Sequence, residues 1–171
     1  MDACVACGFV YEELPVSSVP GALRGVAAHY RVRIEGVPDG VLRTRPEPTV
    51  WSPLEYVCHV RDLLLVQRER IVLAQFIERP SVVPMARDER VEWCGYDAQG
   101  APVALDQLAM AAELCALVFE RVGPSGWRRR LLYNYPEPAE RDVGWVGRHS
   151  VHEAVHHLSD IERALDRVPP D

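Results

Sequence analysis

The stretch "TVWSPLEYVCHVRDLLLVQRERIVLAQFI", residues 49–77, reads as one long helix with a well-marked start. Ser52 suits the N-cap and Pro53 the first helical position, and Glu55 completes an S-x-x-E capping box. The expected end is near Ile77, before Arg79-Pro80. Such a helix must bury a stripe against partners, and three more helical patterns supply them. "VPGALRGVAAHYRVRI" covers about Val19 to Ile34, with Pro20 in its opening turn. "PVALDQLAMAAELCALVFERV" starts near Pro102 and stops before Gly123-Pro124. The last helix runs from about Trp145 to Arg167 and ends at Pro169-Pro170. The expected fold class is therefore all-α: a four-helix bundle with two long crossover connections, over residues 78–101 and 123–144. Within the second, "WRRRLLYNY" could form a short strand, but a single strand makes no sheet, so none is expected. Loops this long in a compact domain are often functional.

Outward from the helices, the 171 residues are expected to form one domain, 1–171, with a short cysteine-bearing extension over about residues 1–17. A net charge of −6 argues against nucleic acid as a partner, since that would call for a basic face. The one basic run, Arg128-Arg129-Arg130, reads either as a solvated loop edge or as an anchor for a carboxylate-bearing substrate or thiol cofactor. The N-terminal "MDACVACGFVYEEL" lacks the basic and apolar regions of a signal peptide, and no 18-residue stretch is uninterruptedly apolar, so neither secretion nor a membrane span is expected. Five cysteines without a secretion signal suggest a reducing, cytoplasmic setting. Cys4 and Cys7 form C-x-x-C-G, half of a zinc knuckle with no second C-x-x-C to close it; a ligand such as Cys94 could complete it only in part. A redox pair or a leftover fragment is the plainer reading. Cys58, Cys94 and Cys115 read as small core residues.

The chemistry concentrates in "RHSVHEAVHHLSDI", residues 148–161, which holds four of the chain's six histidines. It has two registers. His152-Glu153-x-x-His156 spells the H-E-x-x-H zinc-protease pattern, whereas Glu153-x-x-x-His157 spells E-x-x-x-H followed by L-S-D. On a helical wheel whose buried stripe is Val151, Ala154, Val155, Leu158, Ile161 and Leu165, His157 lies roughly 90° from the stripe and Glu153 roughly 130°. His156 points roughly 170° away, and His152 lies near 130° on the other side, at roughly the same wheel geometry. The wheel thus favours Glu153 and His157. A zinc protease would also want a third ligand downstream, and no histidine follows His157. The bland alternative is that these histidines are solvent-facing or merely hydrogen-bonded. "HVRDL" and "HLSDI" each place an aspartate three residues after a histidine, so Asp62 could orient His59 and Asp160 could orient His157.

The order "WSPLEYVCHVRD", a long crossover, then "ExxxHHLSDI" resembles the DinB/YfiT-like superfamily over roughly residues 19–167. That group includes mycothiol-dependent maleylpyruvate isomerases and other bacterial thiol-dependent S-transferases, and the C-x-x-C-G-F-x-Y segment is similar to an extension carried by some actinobacterial members. The resemblance implies a divalent metal, zinc or nickel, held by one histidine of the second helix, matching His59, and by an i, i+4 pair of the fourth. The pair matches Glu153 and His157, with His152 and His156 as the fallback. Glu153 departs from the commoner three-histidine pattern.

The implied cofactors are that metal and a low-molecular-weight thiol of the mycothiol or bacillithiol kind. The implied activity is a small-molecule thiol S-transferase or isomerase. Arg87, Arg90 and Arg129 are candidates to hold substrate carboxylates. Two other classes stay open: a metal-dependent hydrolase in which water at the metal does the work, and a non-catalytic metal- or ligand-binding module. A homodimer is a further expectation for a bundle of this kind.

Overall fold

The computed structural model describes residues 3–167. Its long helices are α1 (Val19–Ile34), α3 (Pro53–Phe76), α5 (Ala101–Glu120) and α6 (Val143–Arg167), with short helices α2 (Asp39–Arg43) and α4 (Arg87–Trp93) in the connections. The expected stop at Pro169-Pro170 lies outside the described residues.

The start of α3 follows from its first four residues. The Ser52 hydroxyl accepts from the Glu55 backbone N–H at 3.3 Å, and the Ser52 N–H donates to the Glu55 carboxylate at 2.7 Å. Arg45 clamps the same carboxylate from outside, its Nε at 2.8 Å. Changing Ser52→Ala should lower stability by about 1 kcal/mol, or about 2–4 °C in Tm. A melting curve unmoved by the change would mean that the Arg45–Glu55 pair holds the helix start by itself.

α1 and α3 each pack against both α5 and α6, so α1 lies diagonally across the bundle from α3, and α5 across from α6. Diagonal neighbours need long connections, and residues 35–52 and 121–142 supply them. Val19, Leu23, Val26, Tyr30 and Ile34 form the buried stripe of α1. The Tyr30 hydroxyl, fully buried, donates to the Ala154 carbonyl of α6 at 2.8 Å.

The buried stripe of α6 is Val143, Val146, Gly147, Ser150, Val151, Ala154, His157, Ile161 and Ala164. Small residues dominate it because the helices approach closely: a Cβ on Gly147 would stand 3.1 Å from Phe119 and 3.3 Å from Val19. The stripe is rotated from the sequence expectation, and His157 lies within it.

Two readings are corrected here. A sheet does exist, three strands in the order β1-β2-β3: β1 (Ser81–Val82) is parallel to β2 (Arg130–Asn134), and β2 is antiparallel to β3 (Pro138–Asp142). Only β2 alternates apolar and polar faces, with Leu131 and Tyr133 turned inward. The strand "PAERD" has no such pattern and is held by pairing rather than by burial of its own. β3 runs directly into α6, where Asp142 accepts from the Trp145 N–H at 2.7 Å. Second, Cys94 is exposed, at the C-cap of α4, whereas Cys58 and Cys115 are buried as expected.

α5 is long and apolar enough to cross a membrane by length and composition. In the bundle Ala104, Leu105, Leu108, Ala111, Ala112, Cys115, Ala116 and Phe119 fill the core between α1 and α3, and a core helix has that composition too.

Candidate metal centre

The first three turns of α3 are buried on every side, because α5, α6 and the segment carrying α4 and Tyr96 surround them. His59 in these turns is only 1% exposed, and His157 of α6 meets it edge-on with ring centroids 4.9 Å apart. Trp51 and Tyr56 pack around the pair, at 4.8 Å from His59 and 5.3 Å from His157 respectively.

His157 Nδ1 meets the Asp160 carboxylate at 2.8 Å, which leaves Nε2 turned to the other side, 3.8 Å from Glu153 Oε2. The second oxygen of Glu153 lies 3.1 Å from His152 Nδ1.

These groups are not in their ordinary protonation ranges. Burial, then the proximity of His157, pushes the His59 imidazole down to about 3. Burial alone would raise the Glu153 carboxyl, but the hydrogen bond from His152 and the neighbouring His149 and His157 hold it down at about 2. Near neutral pH the site therefore presents a neutral imidazole and a carboxylate.

A cavity of about 270 Å³ opens beside them. His59, His149 and Glu153 line it together with the buried Arg70 and Tyr133; Met85, Leu63 and Pro84 give it apolar surface; and Arg87, Asp88, Glu89 and Tyr135 are its exposed lining residues. Arg70 is itself pinned, donating to the Tyr133 hydroxyl at 2.8 Å, and Gln67 donates to the same oxygen at 2.8 Å. The Arg87 guanidinium lies 5.3 Å over the Tyr135 ring.

Of the residues singled out in the sequence, His59, Glu153 and Arg87 line this cavity, while His157 stands behind it against His59 and Glu153. Asp160 meets His157 as described. Asp62 does not meet His59: it accepts from the Tyr96 hydroxyl at 2.6 Å and from Arg61 Nε at 2.7 Å, while His59 Nδ1 is buried with no hydrogen-bond partner. On this helix the aspartate three residues on is claimed by the aromatic hydroxyl and guanidinium flanking it.

Arg90 turns to the Met85 carbonyl at 3.2 Å and toward Asp62 at 3.6 Å rather than into the cavity. Arg129 caps the end of α3, donating to the carbonyls of Ala74 and, at 3.1 Å, Ile77. None of Arg128, Arg129 and Arg130 lines the cavity, and Arg130, exposed, pairs with Glu140.

Sequence reading missed His149, Arg70, Tyr133 and Tyr11. His149 is stacked on Trp145 at 4.5 Å and pushed down to about 4 by burial. Its signal was present, since His149 precedes Glu153 by one helical turn. Tyr11 had no such signal; its hydroxyl reaches across from the extension to His149 Nδ1 at 2.8 Å and His152 Nδ1 at 3.0 Å.

Three groups of described residues bring donor atoms within 4.8 Å of one another: Cys4, Cys7, His152 and His156; His149, His152 and Glu153; and His156, His157 and Asp160. His59 is in none of them. By chemical type His59, whose buried Nδ1 has no hydrogen-bond partner, His157 and the ionised Glu153 suit a divalent cation, but their donor atoms are not gathered within 4.8 Å of one another.

Residues 22–161 match the family model of the DinB superfamily. No curated protein matches the chain in sequence. Among solved structures, the chain superposes on YfiT from Bacillus subtilis, a probable metal-dependent hydrolase with an unusual four-helix bundle topology, with a TM-score of 0.79 at 17% identity over 89% of this chain and 86% of that one. It also superposes on a mycothiol-dependent maleylpyruvate isomerase with a TM-score of 0.71 at 13% identity, over 90% of this chain but 63% of that one. At these identities the superpositions carry the fold alone.

Proposed function

The chain belongs to the DinB superfamily, and on that premise we propose that it is a divalent-metal-dependent enzyme whose ligands are His59, Glu153 and His157. The reaction class is thiol S-transfer or isomerisation of a small anionic substrate, with a low-molecular-weight thiol as co-substrate and zinc or nickel as the metal. The observation that carries this reading is the shared wall: a neutral imidazole and a carboxylate from facing helices open onto one cavity with a guanidinium on its rim. A divalent ion in such a donor set supplies Lewis acidity and lowers the pKa of a thiol or water that meets it.

The chain's own residues do the rest. Asp160 fixes the orientation of the His157 ring through its Nδ1. Arg87, held over Tyr135, binds a substrate carboxylate, and Arg70 keeps the Tyr133 hydroxyl turned toward α3. Met85, Leu63 and Pro84 exclude water from one side of the cavity.

Hydrolysis is the second reading, favoured by the near full-length superposition on YfiT. The two separate on one assay: turnover that requires an added thiol supports transfer, and ester or amide cleavage without thiol supports hydrolysis.

The test of the site itself is metal content. The His59→Ala and His157→Ala proteins should each carry one metal ion fewer per chain than the unmodified protein, with His149→Ala unchanged. Loss with His149→Ala and retention with His157→Ala would move the ligand set up one turn, to His59, His149 and Glu153. Loss with none of the three would sink the metal reading and leave a binding module.

A further inference from the structure

The half knuckle in the extension is completed by α6. Ala3 and Val10 pair as an antiparallel bridge, the Cys4 N–H donates to the Phe9 carbonyl at 2.8 Å, and the Gly8 N–H donates to the Cys4 carbonyl at 2.8 Å. Gly8 makes this turn possible, with φ at +73°, a value costly for any residue with a Cβ. The tight loop sets both thiols on one side, over the face of α6 that carries His152 and His156, one turn apart.

Donor atoms of all four residues lie within 4.8 Å of one another, and Cys4 Sγ is 3.5 Å from His156 Nδ1. Tetrahedral zinc with its usual Zn–S and Zn–N bonds holds such atoms about 3.3–3.8 Å apart, so the set needs only a small contraction to close.

The ring nitrogens point to the same conclusion independently. His152 Nδ1 is engaged by Tyr11 at 3.0 Å and Glu153 at 3.1 Å, while its Nε2 is buried with no hydrogen-bond partner. An imidazole whose Nδ1–H is held by a carboxylate presents a lone pair at Nε2, the usual arrangement of a zinc-bound histidine. In the mirror arrangement, His156 Nε2 faces Asp160 at 3.6 Å and its Nδ1 faces Cys4. A buried nitrogen left without a partner costs stability unless something binds it.

We propose that Cys4, Cys7, His152 and His156 form a closed structural zinc site that fastens the N-terminal extension to α6. Two thiolates and two imidazoles select zinc among the common divalent ions, and four protein ligands leave no open position for substrate. The H-E-x-x-H register thus binds metal too, on the flank of α6 next to the cavity-lining His149 and Glu153 and without protease chemistry. Glu153 stands between the two centres, one oxygen toward His152 and the other toward His157. The clasp also seats Tyr11 against His149, a residue of the cavity wall. The site stands on its own donors and does not depend on His59 or His157 holding a metal.

The test is cobalt substitution of the full-length chain with its thiols kept reduced. Cobalt should produce thiolate-to-metal charge transfer in the near ultraviolet together with the intense visible bands of a tetrahedral ion. The charge transfer should disappear in the Cys4→Ser/Cys7→Ser protein, with the visible bands weakened, and both should persist in Cys94→Ser and in His59→Ala. Zinc content of the double variant should fall by one ion per chain. Should that variant fail to fold, zinc-edge X-ray absorption of the unmodified protein decides, with a sulfur shell at about 2.3 Å expected. Charge transfer that is absent from the unmodified protein, or that survives loss of both cysteines, overturns the proposal, as does a zinc edge without sulfur.

Discussion

Asp62→Ala should destabilise the protein by about 3–5 kcal/mol, a loss of about 10 °C or more in Tm, while leaving metal content unchanged. Asp62 and Arg61 form a pair whose side chains are 12% and 11% exposed, and Asp62 also accepts from the buried Tyr96 hydroxyl at 2.6 Å. Removing the carboxylate strands a guanidinium and a phenol in a crowded interior, where Gln99 and Gln107 at 2.6 Å satisfy Arg61 only in part. That cost belongs to folding and not to the His59 imidazole, which Asp62 does not touch. Asp62→Asn, which keeps a carbonyl acceptor for Tyr96, should lose less. The decisive comparison sets thermal unfolding beside metal affinity. A fall in affinity of 10- to 100-fold with little change in Tm would show instead that Asp62 acts on the metal site.

Acidification should have the second large effect, on the metal-free protein. Burial lowers His59 to about 3 and His149 to about 4, from the ordinary 6.5. As pH falls below 6.5 the unfolded chain takes up protons that these folded imidazoles refuse, so stability is full above 6.5 and is lost as pH drops toward 4. His152 acts in the opposite sense: burial would lower it, but Glu153 and Cys4 hold it above 6.5, so its contribution is present in acid. Glu153, held at about 2, is still ionised at pH 5 and loses its contribution only below about 4.5. The balance from pH 6.5 to 5 is a loss of about 2–3 kcal/mol, or about 5–10 °C in Tm. His149→Phe should remove about half of that slope. A melting temperature that stays level between pH 7 and 5 would mean that both histidines carry protons in the fold.

How far the sequence reaches can be judged residue by residue. The limits of α1, the start of α3 and its capping box were legible, because each rests on contacts within one or two turns, and so was the existence of four long helices. His59, Glu153 and His157 could be picked out by spacing along single helices and by resemblance to the DinB/YfiT-like superfamily. The wheel for α6 was turned away from His157 because Gly147 and Ser150 were not counted as its buried face, yet small residues are what close helix packing selects. The sheet was illegible since β3 contributes pairing and no apolar face.

What the sequence by itself determined about this protein is local: where helices begin, which residues share a helical face, and which side chains are of a metal-ligating type. Only the tertiary structure decided the diagonal order of the helices, the partner of Asp62, the role of Arg129 as a helix cap, and the meeting of Cys4 and Cys7 with His152 and His156. Those are contacts between residues separated by up to 152 positions, and no periodicity along the chain encodes them. They arise when burying the apolar faces of α1, α3, α5 and α6 together brings distant polar groups within reach of one another.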